Sequence, residues 1–551
     1  MLDLTKQVVY QIYPKSFKDS NGDGIGDLPG IIEKLPYLAK LGVDFIWLNP
    51  IYPSPQNDNG YDISDYCAID PVFGTMADFE ALITKAAALN IQVMLDMVFN
   101  HVSTDHTWFQ KALAGDKQYQ DYFLLRERHA DGSHPNHWQS KFGGSAWAPF
   151  GDTKFDFLHL YDPTQADLNW RNPAVVAELK HVLDFWLAKG VRGFRFDVIN
   201  VIGKDPELLD APAGTNEKLM YTDKPIVHDY IRELNEATFG KYANVITVGE
   251  LSSTTIENAN LYTRPDRHEL SMSFSFHHLK VDYENGEKWT KIPYDFAALR
   301  NLLHEWGTGM AMGEGMPAWF WNNHDQPRGL NRFILNSKFY DEGARLLAMV
   351  IHLNRGIPYI YMGEEIGMRD PEFTSIDQYN DIEAHNAYQM LLDQGKISAE
   401  AFAIVKAKAR DNARTPMQWD ASSHAGFTTG TPWLGLAEYT DVNVATELAK
   451  HDNLYAFYQK LIQLRKTEAV IADGGYTAAY TDVPEVFAFV RELNGQKLLM
   501  VAHFGEAPTQ INLGEFADGE LVISSYADTT VTTVTTDYQL RPYEALALKI
   551  N

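Results

Sequence analysis

Four short segments place a carboxylate beside a histidine, arginine or asparagine: DMVFNH with Asp96, Asn100 and His101, GFRFDVIN with Arg195 and Asp197, TVGE with Glu250, and NNHD with His324 and Asp325. Each acid ends an apolar, β-type run. A carboxylate facing the interior of a sheet core would be desolvated at a cost of several kcal/mol, so its natural place is a strand end that meets substrate or a paired cation. Several such acids converging at one mouth point to nucleophilic and acid/base work. Arg195 lies two residues before Asp197, on the same strand face, and is expected to keep that carboxylate ionised. Asp96, deeper in its strand, reads as a supporting partner of Arg195.

The acids need a frame. Apolar runs recur at 8–14, 45–50, 93–98, 193–198, 246–250, 271–276, 318–325 and 358–365, with amphipathic stretches such as LPGIIEKLPYLAKLG, ADFEALITKAAALN, VVAELKHVLDFWLAKG and ARLLAMVIHLNRG between them. Alternation of strands and helices predicts a parallel sheet, and eight units predict a closed (β/α)8 barrel whose site lies at the strands' C-terminal ends. No GxGxxG follows a strand, which argues against a doubly wound sheet. One helix cannot fill the gap between the third and fourth runs, and its Trp-, Phe-, Gly- and Asp-rich content predicts an inserted lid. After about residue 470, alternating runs with polar turns, including Leu493-Asn494-Gly495, predict a C-terminal antiparallel β-sandwich. The expected division is a barrel of 1–101 and 175–470, a lid of 102–174 and a sandwich of 471–551.

Composition narrows the class. The 551 residues are 45% hydrophobic and 22% charged, with a formal charge of −26 and a single cysteine, Cys67. Such a charge repels polyanions, so no nucleic-acid partner is expected; no apolar run is long enough to span a bilayer, so no membrane partner is either. With no signal-peptide pattern and no possible internal disulfide, a cytoplasmic location is expected.

The four segments resemble, in order and spacing, the regions that define the α-amylase family of glycoside hydrolases, and the likeness spans essentially the whole chain. QADLNW, RDNARTPMQWD and GIPYIYMGEEIGM are similar to the oligo-1,6-glucosidase branch. The resemblance implies a retaining hydrolase with Asp197 as nucleophile, Glu250 as general acid/base and Asp325 as the carboxylate that grips sugar hydroxyls. It further implies that Asp58, Tyr61, His101, His324 and Arg414 surround the terminal glucose, with Asp58 and Arg414 bracketing its O4 and O6, and hence an exo-acting pocket. Asp325 is expected to help raise the pKa of Glu250 as a like charge.

Two further features concern ligands. DSNGDGIGD spaces oxygen donors at Asp19, Asn21, Asp23, the Ile25 carbonyl and Asp27, EF-hand-like but without the final Glu. The branch often binds a structural Ca2+ in this loop, and that is the expectation here. QIYPKSFKD, WQSKFGGSAW, GELSSTTIEN and ELSMSFSFHHLKVDYENGEKWT resemble the trehalose-6-phosphate hydrolases more than the oligo-1,6-glucosidases. A phosphorylated sugar needs cations, and Lys141, Lys280 and Lys288 are placed to supply them. Val198, next to the nucleophile position, instead favours relatives that cut α-1,6 or other non-1,4 linkages, so the oligo-1,6-glucosidase reading stays open. So do transglycosylase or phosphorylase chemistry on the same acids and, less well, a non-catalytic transporter heavy chain, which usually lacks the full carboxylate set.

Overall fold

The computed structural model describes residues 2–529 and 536–550; residues 1, 530–535 and 551 lie outside it, the latter two within the expected C-terminal unit. Eight parallel strands close into a barrel: Val9–Ile12, Phe45–Leu48, Gln92–Met97, Gly193–Phe196, Ile246–Glu250, Met272–Phe274, Pro317–Trp319 and Ile357–Tyr361, each within or beside an expected run. Their residues are almost all buried, which is why they read as continuous apolar runs and not as alternating ones. Helices return the chain between strands, and their starts are set locally. Asp27 accepts a hydrogen bond from the Gly30 amide at the head of Leu28–Leu41, and Thr75 with Asp78 forms a capping box ahead of Met76–Ala88. Asn172 caps Pro173–Ala188, with proline at the first helical position.

Between the third strand and Pro173–Ala188 stands a lid. His101–Ser103 pairs antiparallel with Gln165–Asp167, which ties the lid's two ends together, and Leu125–Glu127, Phe155–Leu158 and Trp147–Pro149 form a second small sheet. Trp138, Trp147 and Leu160 of the lid share an apolar cluster with Val198, Val201, Leu208 and Tyr221, so the lid rests on the segment that follows the fourth barrel strand. Beneath it, the buried Lys204 ammonium binds Asp167 Oδ2 and Asn100 Oδ1, both at 2.6 Å. An internal cation thus joins lid to barrel.

A second excursion follows the eighth strand. Helices Ile382–Asp393 and Ser398–Lys408 pack on each other around Tyr379, Leu391 and Val405 and deliver the short helix Asp411–Arg414 back to the barrel mouth. The sequence reading placed this segment within the barrel without separating it, because its helical period is the same as that of the barrel helices.

Beyond Ala469–Asp473 the chain forms an antiparallel sheet in the order Thr477–Ala479, Val486–Leu493, Gln496–His503, Ala545–Ile550 and Glu520–Ser524. A two-stranded sheet, Thr509–Asn512 with Asp537–Leu540, covers it through Val486, Leu499, Val501, Ile511 and Leu540. Asn494 and Gly495, both at positive φ, make the two-residue hairpin turn. Arg491 donates to the carbonyls of Leu353, Gly474 and Gly475, fastening this sandwich to the barrel floor.

Candidate active site

The acids meet where the fourth and fifth strands end. Arg195 pairs in register with Asp96 on the neighbouring strand, and its guanidinium is shared by three carboxylates. Nη1 donates to Asp96 Oδ1 at 2.8 Å and to Asp197 Oδ1 at 2.5 Å, and Nη2 donates to Glu250. Trp47 and Tyr61 bind the other oxygen of Asp96, at 3.3 and 2.9 Å, so Asp96 anchors Arg195 from behind and does not line the cavity. Burial raises the Glu250 carboxyl to about 8; Arg195 opposes this, while Asp197 and Asp325 add to it. Burial thus shifts Glu250 toward its protonated form. Val198, immediately after Asp197, sits at φ 37°, ψ 38°, a left-handed conformation that strains a β-branched residue and turns the chain sharply at the mouth.

A second cluster flanks the first. Tyr61 stacks on His324 with ring centroids 5.2 Å apart and planes 8° from parallel, its hydroxyl 2.6 Å from Nε2, and Gln11 Nε2 lies 2.9 Å from Nδ1. Burial holds the His324 imidazole neutral, with its pKa lowered to about 3. Asp325 is half-buried, and its desolvation by itself would raise its pKa, yet His324, Arg410 and Arg414 pull it well below the usual carboxylate range. The two carboxyls are thus shifted in opposite directions, Asp325 toward its ionised form and Glu250 toward its protonated one.

Arg410, not Arg414, reaches Asp58. Its Nη2 lies 3.1 Å from Asp58 Oδ1 and 2.5 Å from Asp381 Oδ1, its Nη1 3.5 Å from Asp325, and its Nε 3.3 Å from Glu383. Arg414 is 1% exposed, donates to the His324 carbonyl at 2.7 Å and to Asp325 at 3.0 Å, and does not line the cavity. It holds Asp325 from behind, so the expected Asp58–Arg414 bracket is an Asp58–Arg410 bracket. Both arginines sit in the RDNARTPMQWD run, four residues apart; spacing alone did not say which faced the mouth. Gln165 was also missed: its amide donates to the other oxygen of Asp58 at 3.1 Å and lies 3.2 Å from His101 Nε2. Burial drives Asp58 up to about 7 against the pull of Arg410 and Arg414, and lowers His101. His101 lines the cavity, whereas His324 supports Tyr61 from outside it.

These groups wall a cavity of about 260 Å³ that also takes in Lys141, Phe142, Tyr161, Ser252, Phe276, Lys280, Tyr283, Lys288 and Glu383. The three anticipated lysines come together there from the lid and from the segment after the sixth strand, but in different states. Lys141 donates to the Tyr161 hydroxyl and to Ser252 Oγ, each at 3.2 Å, and burial followed by the charge of Lys218 lowers it to about 8. Lys288 is clamped by both oxygens of Glu383, at 2.8 and 2.7 Å. Lys280 is exposed, with no ion pair or side-chain hydrogen bond at its ammonium among the described residues.

The α-amylase catalytic-domain model matches residues 11–474. The chain belongs to the α-amylase family of glycoside hydrolases. Within that family it is 46% identical to the trehalose-6-phosphate hydrolase of Bacillus subtilis (strain 168) over 553 residues, covering 99% of this chain and 98% of the relative. It is 43% identical to an oligo-1,6-glucosidase of Halalkalibacterium halodurans, over 98% of this chain and 97% of that one. The crystal structure of Bacillus licheniformis trehalose-6-phosphate hydrolase superposes with a TM-score of 0.94 at 45% identity over 99% of both chains. The family's barrel and an antiparallel C-terminal domain are both present here.

The Asp19 to Asp27 loop lies apart from the acids. Asp19 accepts hydrogen bonds from the amides of Asn21, Gly22 and Gly24 and from the Thr428 hydroxyl, Asn21 and Asp23 each accept one amide, and Asp27 is spent on Ser20 and the helix cap. Its oxygen donors are of the hard type that suits calcium. Among the described residues, however, no group of three or more His, Cys, Asp or Glu side chains is assembled to hold a metal. Nor is any described helix long and apolar enough to cross a membrane.

Proposed function

We propose that this glycoside hydrolase is an exo-acting, retaining α-glucosidase that cleaves trehalose 6-phosphate to glucose and glucose 6-phosphate. The observation that carries this reading is the lining of one cavity, which brings Asp197, Glu250 and Asp325, taken as its inner, glucose-binding end, together with Lys141, Lys280 and Lys288, taken as its outer end. Its high likeness to trehalose-6-phosphate hydrolases supports the same substrate.

In this mechanism Asp197, held in place by the Arg195 guanidinium, attacks the anomeric carbon as the bond to the leaving sugar's oxygen breaks, and Glu250 gives that oxygen its proton. A glucosyl ester of Asp197 results. Water then enters, Glu250 takes its proton, and attack at the same carbon frees Asp197 with the original configuration restored. Asp325 and the Asp58–Arg410 pair bind hydroxyls of the inner glucose, and Tyr61 offers it an aromatic face. The lysines bind the phosphate of the outer sugar through charge-assisted hydrogen bonds.

Side-by-side rates on trehalose 6-phosphate, trehalose, isomaltose and p-nitrophenyl α-glucoside test the reading. Trehalose 6-phosphate is expected to exceed trehalose by far; faster turnover of isomaltose would return the protein to the oligo-1,6-glucosidases. One observation favours that second reading: Glu383 neutralises Lys288 at the outer end. A calcium ion in the Asp19 to Asp27 loop is likewise proposed, on the donor chemistry of the loop alone. A cytoplasmic location is proposed on the single cysteine, half-buried and unpaired.

A further inference from the structure

The segment after the fourth barrel strand is stitched to the lid. Asn136 donates to the Leu208 carbonyl at 2.6 Å, Trp138 Nε1 to Leu209 at 3.0 Å, the His137 amide to Asp210 at 2.7 Å and the Gln139 amide to Glu217 Oε1 at 2.8 Å. The turn Glu217–Met220 is therefore held against the lid next to Lys141, and Tyr221 just beyond it packs on Trp138 with its ring 5.8 Å from Lys141 Nζ. Lys218 lies in this turn. It is exposed, its amide is fixed by Asn216 Oδ1 at 3.0 Å, and its ammonium has no hydrogen bond or ion pair among the described residues. The adjacent acid, Glu217, is turned to the Gln139 amide.

We propose that Lys218 is a specificity-determining residue that joins Lys141 and Lys280 around the phosphate of the outer sugar. This rests on the reading of the substrate as a phosphorylated disaccharide. Lys218 adds its positive charge to the surroundings of both cavity lysines: after burial it is the largest influence lowering Lys141, and it also lowers Lys280. Lys141 and Lys280 line the cavity, Lys218 stands in the neighbouring turn outside its lining, and none of the three forms an ion pair with a carboxylate among the described residues, in a chain whose acids outnumber its bases by 26. Glu250 and Asp167 offset part of this repulsion at Lys141 without pairing with it, and a phosphate dianion placed among the lysines would offset the rest. Lys288 is the contrast, because its counter-ion is already in place.

The test compares wild type with Lys218→Ala and Lys218→Arg. The ratio of kcat/KM on trehalose 6-phosphate to that on p-nitrophenyl α-glucoside is expected to fall about tenfold in Lys218→Ala, mainly through KM, and to recover largely in Lys218→Arg. Inhibition of p-nitrophenyl α-glucoside hydrolysis by glucose 6-phosphate is expected to weaken by a similar factor, with inhibition by glucose unaltered. An unchanged ratio, or equal losses on both substrates, overturns the role of Lys218. If wild type itself does not prefer trehalose 6-phosphate, the substrate reading fails separately, and Lys218 is then judged by glucose 6-phosphate inhibition alone: no difference between wild type and Lys218→Ala rejects it.

Discussion

The inner and outer halves of the cavity use charge in opposite ways. In the inner half every cation is already bound: Arg195 serves Asp96, Asp197 and Glu250, and Arg410 serves Asp58, Asp381, Asp325 and Glu383. Positions there are set by strand ends and by buried ion pairs, which fix geometry at a high cost if either partner is lost. In the outer half only Lys288 is paired, with Glu383, whereas Lys141 and Lys280, and Lys218 in the turn beside them, come from loops and the lid and form no ion pair among the described residues. A reaction centre needs preformed geometry, whereas recognition of a charged group needs unneutralised charge at the mouth.

The largest effect that would break this contrast concerns the acids. Asp197→Asn and Glu250→Gln are each expected to lower kcat by roughly three orders of magnitude or more with the fold intact, because the lost interactions exist only in the transition state. Early product glucose should be the α-anomer by NMR; early β-glucose rejects the Asp197–Glu250 pairing.

Arg410→Ala comes next. It leaves Asp381 and Asp58 buried without their cation, so a loss of about 3 to 5 kcal/mol of stability is expected, with a large fall in kcat/KM on every substrate, read by thermal melting and steady-state kinetics. A variant impaired only on the phosphorylated substrate would move Arg410 to the outer half. Lys280→Ala should act in the opposite sense: about ten- to a hundredfold on trehalose 6-phosphate, for one lost charged hydrogen bond, and little on p-nitrophenyl α-glucoside.

The pH profile sharpens the comparison further. Glu250 must carry its proton to act as acid, so kcat/KM on the neutral substrate should decline as pH rises through about 8, the value to which burial raises this carboxyl. Lys141, lowered by its own burial to about 8, loses its charge over the same range, so the decline should be steeper on the phosphorylated substrate. The smallest effect concerns the loop remote from both halves. If it holds calcium, EDTA treatment or Asp19→Ala should lower the melting temperature by a few degrees and leave the chemistry working; an unchanged melting temperature and metal content would make it a turn.

What could be read from the sequence follows the same division. Asp197, Glu250 and Asp325 were legible because strand ends have a strong apolar signature and the barrel dictates where they point. Arg195 was legible through the two-residue period of its strand. Arg410, Gln165 and Lys218 were not, since each lies in a segment whose path over the mouth is set by tertiary packing: the helical hairpin after the eighth strand, the lid's closing strand and the turn held by Gln139. Lys288 was found, but its neutralisation by Glu383, 95 residues away, has no local signal.

On the proposed exo-acting reading, the Asp58–Arg410 pair and the lid, tied by Lys141 to Ser252, form the closed end of the chamber. A chamber with one door imposes a timetable. On the proposed mechanism the phosphorylated product departs first, the water that resolves the glucosyl ester enters by the path it vacated, and glucose leaves last. Glucose, leaving an otherwise empty enzyme, should therefore compete with substrate, whereas glucose 6-phosphate should also obstruct turnover by refilling the doorway behind a glucosylated Asp197.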